Sequence, residues 1–236
     1  MTPGPDPIDA LAEEGETALE DGEYEIALES FEAILARDPE HWGAALRRAE
    51  CLHLLWRTAD ALKDIQSLTP PEDEEDDPER AELEGMILEA AGRLEEADRR
   101  FAECHALDPE NFPLPVRFGP EDFRTLLDKV LASLPPVIRE AVLEVPVLVE
   151  PKPTREVAEN APVINPEILG LFVGVPVGHK LGGSGYGNVV LLFQRNLERS
   201  GRSRQEVSKE MKITLLHEYG HYLGFDEEEL EHLGLG

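Results

Sequence analysis

His217-Glu218-Tyr219-Gly220-His221, continued by Tyr222-Leu223-Gly224-Phe225-Asp226-Glu227, is the stretch on which the reading of this chain turns. Histidines four residues apart fall about one helical turn apart on one face, so both imidazoles can reach a single metal ion. Glu218 between them points near the same ion, where a carboxylate can take a proton from metal-bound water. The spacing around the stretch predicts one long helix. Ser203-Arg204-Gln205-Glu206 has the capping-box spacing and marks its start. Val207, Met211, Leu215, Tyr219 and Tyr222 form its apolar stripe, Leu216 and Leu223 widen it, and His217 and His221 flank it beside Thr214. Gly224 is placed to end the helix in a left-handed turn and send the chain back toward the histidines.

A catalytic zinc usually takes three protein ligands plus water. Fifteen residues follow His221, too few for a second long helix carrying a distant glutamate, so the third ligand comes from this tail or from upstream. The stretch reads H-E-x-x-H-x-x-G-x-x-E, which puts Glu227 where the metzincin signature has its third histidine. Asp226 is the adjacent competitor and His232 a more distant one.

Working back from this helix, the second half of the chain reads as a small α+β unit of about residues 120–236. Apolar residues at 123, 126, 127, 130, 131 and 134 give a helical stripe that Pro135-Pro136 stops. Pro136 can open another helix to about Leu143. Val145 to Val149 reads as a short strand, with Pro146 marking an edge position. Lys152 to Pro166 reads as a loop, Leu169 to Val177 as a strand, and Asn188 to Gln194 as the best strand of the chain. The glycine-rich turn Gly182 to Gly187 lies between the last two. A strand follows it rather than a helix N-terminus, so it reads as a hairpin loop beside the site and not as a phosphate cradle.

The first half, about residues 8–110, carries a different pattern. Gly22, Ala27, Phe31 and Pro39 are matched by Gly92, Ala97, Phe101 and Pro109, with alanine, phenylalanine and proline five, nine and seventeen residues after the glycine in both copies. The copies are 70 residues apart, two periods of about 35, and Trp56, Ala61 and Ile65 occupy the place of a degenerate unit between them. The segment resembles the tetratricopeptide repeat, which implies an array of helical hairpins with small residues at the close crossings. Such arrays leave a concave groove, and a protein partner seated there is the expectation. Pro70 to Pro78 interrupts the array with six successive acids and reads as a solvated loop.

Composition narrows the partners. The net charge of −28, from 50 acidic and 22 basic residues, argues against nucleic-acid or anionic-membrane binding. The charge is uneven: residues 1–110 hold 9 Lys/Arg against 32 Asp/Glu, and residues 111–236 hold 13 against 18. The two units therefore have different surfaces. Cys51 and Cys104 sit in helical patterns and read as reduced core thiols. With no basic-apolar leader and no membrane-length apolar run, a cytoplasmic location is expected.

From about residue 121 onward the chain resembles the small bacterial zincin-like metallopeptidases. The match rests on Leu134-Pro135-Pro136, Leu169-Gly170-Leu171-Phe172, Ser184-Gly185-Tyr186-Gly187 and the metal motif. The chain departs from that pattern at the eleventh motif position, where Glu227 stands in place of aspartate. The resemblance implies a multidomain chain, all-α repeats followed by a minimal α+β zincin domain, acting as a zinc-dependent peptidase on a peptide or protein substrate.

In that reading His217, His221 and Glu227 or Asp226 hold Zn2+, and Glu218 is the general base. Tyr186 is the first choice to donate to the developing oxyanion, with Tyr219 and Tyr222 behind it. The alternative is a non-catalytic adaptor in which the zincin module binds metal or is inactive.

Overall fold

A computed structural model describes residues 7–69, 77–158, 165–177 and 187–232. The chain is mostly helical, with one small sheet toward the C-terminus. It divides into two compact units, Met1–Pro113 with Thr154–Pro166, and Leu114–Pro153 with Glu167–Gly236.

The first unit holds α1 (Pro7–Glu20), α2 (Tyr24–Leu35), α3 (Trp42–Leu54), α4 (Thr58–Ser67), α5 (Pro78–Ala90) and α6 (Leu94–Leu107), each packed on the next. Its turns have a common geometry. Gly22, Trp56 and Gly92 adopt left-handed backbone with φ of 76°, 61° and 74°. In each case the next residue's N–H reaches back to a helix carbonyl: Glu23 to Ala18 (2.8 Å), Arg57 to Leu52 (2.8 Å) and Arg93 to Leu88 (2.9 Å). Five residues beyond each turn, Ala27, Ala61 and Ala97 are fully buried.

The large side chains follow the same register. The Phe31 ring lies over Gly15, where a Cβ would come within 2.7 Å of it, and the Phe101 ring lies over Gly85 with the same 2.7 Å approach. No larger residue fits at either glycine without moving its ring. Ile34, Cys51, Ile65 and Ile87 complete the core.

Residues 70–76, the acidic segment, lie outside the described residues. At its end Asp77 caps α5, accepting from the N–H groups of Glu79 (2.8 Å) and Arg80 (3.3 Å), and it also accepts the Trp42 indole N–H (3.2 Å). Asp77→Ala is expected to destabilise the protein by about 1–2 kcal/mol, read as a lower thermal midpoint, and Asp77→Asn by much less.

The second unit starts with an extended segment pinned by one buried carboxylate. Glu198 accepts from the Phe118 N–H (3.0 Å), Arg117 Nη1 (3.1 Å) and Gln194 Nε2 (2.7 Å), and its own carbonyl takes the Val116 N–H (2.8 Å). The segment from Val116 to Phe118 is thus docked within this unit. Then come α7 (Pro120–Ser133), α8 (Pro136–Glu144) and β1 (Val147–Glu150). The short α9 (Arg155–Ala158) falls in the first unit, within the expected loop, and residues 159–164 are outside the described set.

β2 (Gly170–Val173) and β3 (Val189–Phe193) complete the sheet in the order β1-β3-β2, with β1 parallel and β2 antiparallel to β3. The central β3 is apolar on both faces, as a covered strand must be. The strand expected over 169–177 is shorter than its apolar run. After Val173 the Asn188 side chain replaces a backbone partner, accepting the Val175 N–H (2.9 Å) and donating to its carbonyl (3.1 Å). The strand expected to reach Gln194 stops one residue earlier, where α10 (Gln194–Arg199) begins.

The closing helix α11 (Arg204–Leu223) packs on β2, α7, α8 and α10 through Val207, Met211, Leu215 and Tyr219, all fully buried. A six-residue helix, α12 (Glu227–His232), follows it. Among the described residues no helix is long and apolar enough to cross a membrane.

Candidate metal centre

The start and stop signals of α11 fix where its histidines stand. Ser203 Oγ accepts the Glu206 N–H (3.2 Å) at the N-cap. At the other end Gly224 is left-handed (φ 98°), and the Phe225 N–H bonds back to the Gly220 carbonyl (3.1 Å). The Val177 N–H also donates to the Tyr222 carbonyl (2.8 Å), which secures the last turn.

On the exposed side of that turn the Nε2 atoms of His217 and His221 face each other at 2.9 Å. Glu227, the first residue of α12, brings Oε1 to 3.2 Å from His221 Nε2 and Oε2 to 3.7 Å from His217 Nε2. Among the described residues these three form a cluster able to hold a metal ion. Zinc with ligands at about 2.0–2.1 Å in a tetrahedron separates neighbouring donor atoms by roughly 3.3 Å. With each carboxylate oxygen facing a different histidine, these separations lie within about half an ångström of that value, so two imidazoles and a carboxylate are a donor set that fits zinc. His221 Nδ1 lies 3.2 Å from the Phe225 carbonyl, which can only accept, and the tautomer protonated at Nδ1 satisfies that carbonyl while leaving the Nε2 lone pair for a metal.

Glu218 stands beside this trio and faces inward. Its Oε2 accepts the Phe172 N–H of β2 at 2.6 Å. Phe172 pairs opposite Val190, at a position whose N–H points away from β3 toward α11. Gly170 permits the close approach: a Cβ there would lie 2.5 Å from Thr214 Cγ2 and 3.3 Å from Glu218 Cγ. Burial pushes the Glu218 carboxyl up to about 7 and adjacent Glu227 adds to the rise; His217 and the Phe172 amide oppose it. A carboxyl held near neutrality is suited to taking and giving a proton.

The remaining candidates named from the sequence lie elsewhere. Asp226 does not join the trio. Its Oδ1 accepts the Glu229 N–H (2.9 Å), while Glu229 Oε2 accepts the Asp226 N–H (3.0 Å). His232 lies on α12 with Nδ1 against the Glu228 carbonyl (2.6 Å). Tyr219 is fully buried and donates to the Val145 carbonyl (2.7 Å), and Tyr222 donates to Glu144 (2.8 Å). Those bonds tie both hydroxyls to the α8–β1 junction, which corrects the idea that either serves an oxyanion. Tyr186 lies outside the described residues.

Sequence reading misses Phe172 and Gly170, whose parts are played by backbone, and it misses α12. For α12 a signal exists: Asp226-x-x-Glu229 has the same capping-box spacing that marks the start of α11.

No curated protein matches the chain. A family model does match its C-terminal part, over the segment that contains the sheet, α11 and the histidine–glutamate cluster: residues 142–236 are similar to the family described as zincin-like metallopeptidase.

Proposed function

We propose that the chain is a zinc-dependent peptidase whose metal is held by His217, His221 and Glu227. The observation that supports this is the convergence of two imidazole nitrogens and a carboxylate on one spot, next to a buried carboxyl raised to about 7. Bound there, zinc supplies Lewis acidity toward water and toward the scissile carbonyl. Glu218 is the general base. Its Oε2 is occupied by the Phe172 N–H, so Oε1 takes the proton of the attacking water and delivers it to the leaving amine. The Phe172 bond also restricts the rotamer of Glu218, which limits the entropy lost on reaching the reactive geometry. Tyr186 remains the proposed donor to the oxyanion.

For the first unit we propose a tetratricopeptide-like array that recruits a protein. The recurrence of the left-handed turn at residues 22, 56 and 92 supports it, as does the paired Gly15–Phe31 and Gly85–Phe101 packing. The acidic surface favours a basic or neutral partner, in the cytoplasm.

Purified protein is expected to hold one zinc per chain by elemental analysis and to cleave members of a peptide library. Glu227→Ala should lower zinc affinity by about 100-fold or more, since a whole ligand is lost and loss of a mere supporting residue already costs 10–100-fold. Zinc far below one per chain sinks the site. Stoichiometric zinc without cleavage under any condition favours the adaptor reading instead.

A further inference from the structure

Glu227 is 72% exposed, so side-chain packing does little to hold its carboxylate where the histidines need it. Its position is set by the backbone of α12, and six residues make a helix too short to persist alone. Two devices hold that helix. The first is the reciprocal cap in which Asp226 and Glu229 each accept the other's N–H, at 2.9 and 3.0 Å, with the Leu230 N–H to Asp226 carbonyl bond (3.0 Å) closing the first turn. The second is Leu230, fully buried, whose Cδ2 occupies the space a Cβ on Gly220 would need. Gly220 lies inside the histidine motif itself, on α11 between Glu218 and His221. The anchor of α12 therefore seats on the same helical turn that carries both imidazoles.

We infer that Asp226, Glu229 and Leu230, with Gly220 as the seat, form a clamp that presents Glu227 to the histidine pair, and that Asp226 is a positioning residue and not a ligand. This rests on the zinc reading above. A ligand role and a capping role for Asp226 predict opposite behaviour of the serine variant. Serine caps a helix about as well as aspartate, whereas alanine does not, and a serine hydroxyl is a poor substitute for a carboxylate on zinc.

The test is zinc affinity of the full chain, measured by competition with a chelator, together with the thermal midpoint of the metal-free protein. Asp226→Ser is expected within about threefold of wild type, and Asp226→Ala about five- to tenfold weaker, as loss of a cap predicts. Leu230→Ala is expected to weaken zinc about 10- to 100-fold, the range for residues that orient a ligand. The metal-free midpoints should stay close to wild type in the Asp226 variants, whose capping bonds lie at the start of α12, and Leu230→Ala, which empties a buried site, should lower its midpoint without unfolding the unit. If Asp226→Ser loses as much affinity as Glu227→Ala, Asp226 is a ligand and the inference falls. Wild-type affinity in Leu230→Ala removes the anchor and overturns the clamp alone. A wild-type chain that binds no zinc overturns the metal reading itself, a separate result.

Discussion

Glu218→Gln is expected to lower peptide hydrolysis by about 10²- to 10⁴-fold while zinc content stays at the wild-type level, because glutamine keeps the shape and cannot take the proton. The same substitution has a second, independent readout in the metal-free protein. Glu218 is buried, and burial raises its carboxyl to about 7 in the folded chain. Between the ordinary carboxyl value and about 7 the folded chain keeps a proton that the unfolded chain has released. Its stabilising contribution is therefore complete at low pH and is lost as pH rises through 7. The metal-free wild type should lose about 3 kcal/mol of stability from this group between pH 4 and pH 8. Glu218→Gln should not show that component, so the difference between the two proteins isolates it from the general repulsion of an acidic chain. Full hydrolytic activity in Glu218→Gln rules out the base assignment, and parallel stability profiles rule out the buried ionisation.

The second large effect lies outside the histidine site, at Glu198 on α10. Glu198 is 1% exposed and satisfies Arg117, the Phe118 amide and Gln194 together. Glu198→Ala removes a buried ionic partner and leaves the Phe118 N–H without its acceptor. Breaking such a pair from one side costs about 3–5 kcal/mol, which lowers the thermal midpoint by about 12–22 °C for a unit of about 110 residues. Glu198→Gln keeps an acceptor for Phe118 and should recover most of the loss. The Phe118–Phe123 edge contact (5.9 Å) and the Arg204 guanidinium over Phe118 (4.5 Å) should loosen with it, visible as faster amide exchange at residues 116–118. A midpoint unchanged by Glu198→Ala would mean that the extended segment is held by its apolar contacts alone.

Much of the architecture is legible in the sequence where local chemistry dictates it. Ser203 and Gly224 bound α11 because capping and left-handed turns depend on single residue types. Pro136 opens α8 for the same kind of reason. What is not legible depends on contacts between distant residues. The apolar run from Leu169 to Val177 gives no sign that the Asn188 side chain will interrupt its pairing, and that decides the length of β2. In the candidate site the histidine pair is written in the spacing of one helix. Asp226 and Glu227 are adjacent and chemically alike, so spacing leaves both open. A backbone turn separates them, one carboxylate going to the cap and the other to the histidines. The contact of Glu218 with Phe172 is invisible in principle, because the partner is an amide that any residue but proline would provide.

Trp56 carries a consequence for the way the first unit comes apart. It holds the same left-handed turn as Gly22 and Gly92, yet a side-chain-bearing residue is strained there by about 1–2 kcal/mol. The helix it introduces, α4, is also short, with Ala61 and Ile65 as its fully buried residues. The strain sits at the α3–α4 turn, while α3 itself is well buried through Leu46, Ala49, Cys51 and Leu52. Loosening at this point is therefore confined to the turn and α4, which exchange between closed and open forms while α3 keeps its packing.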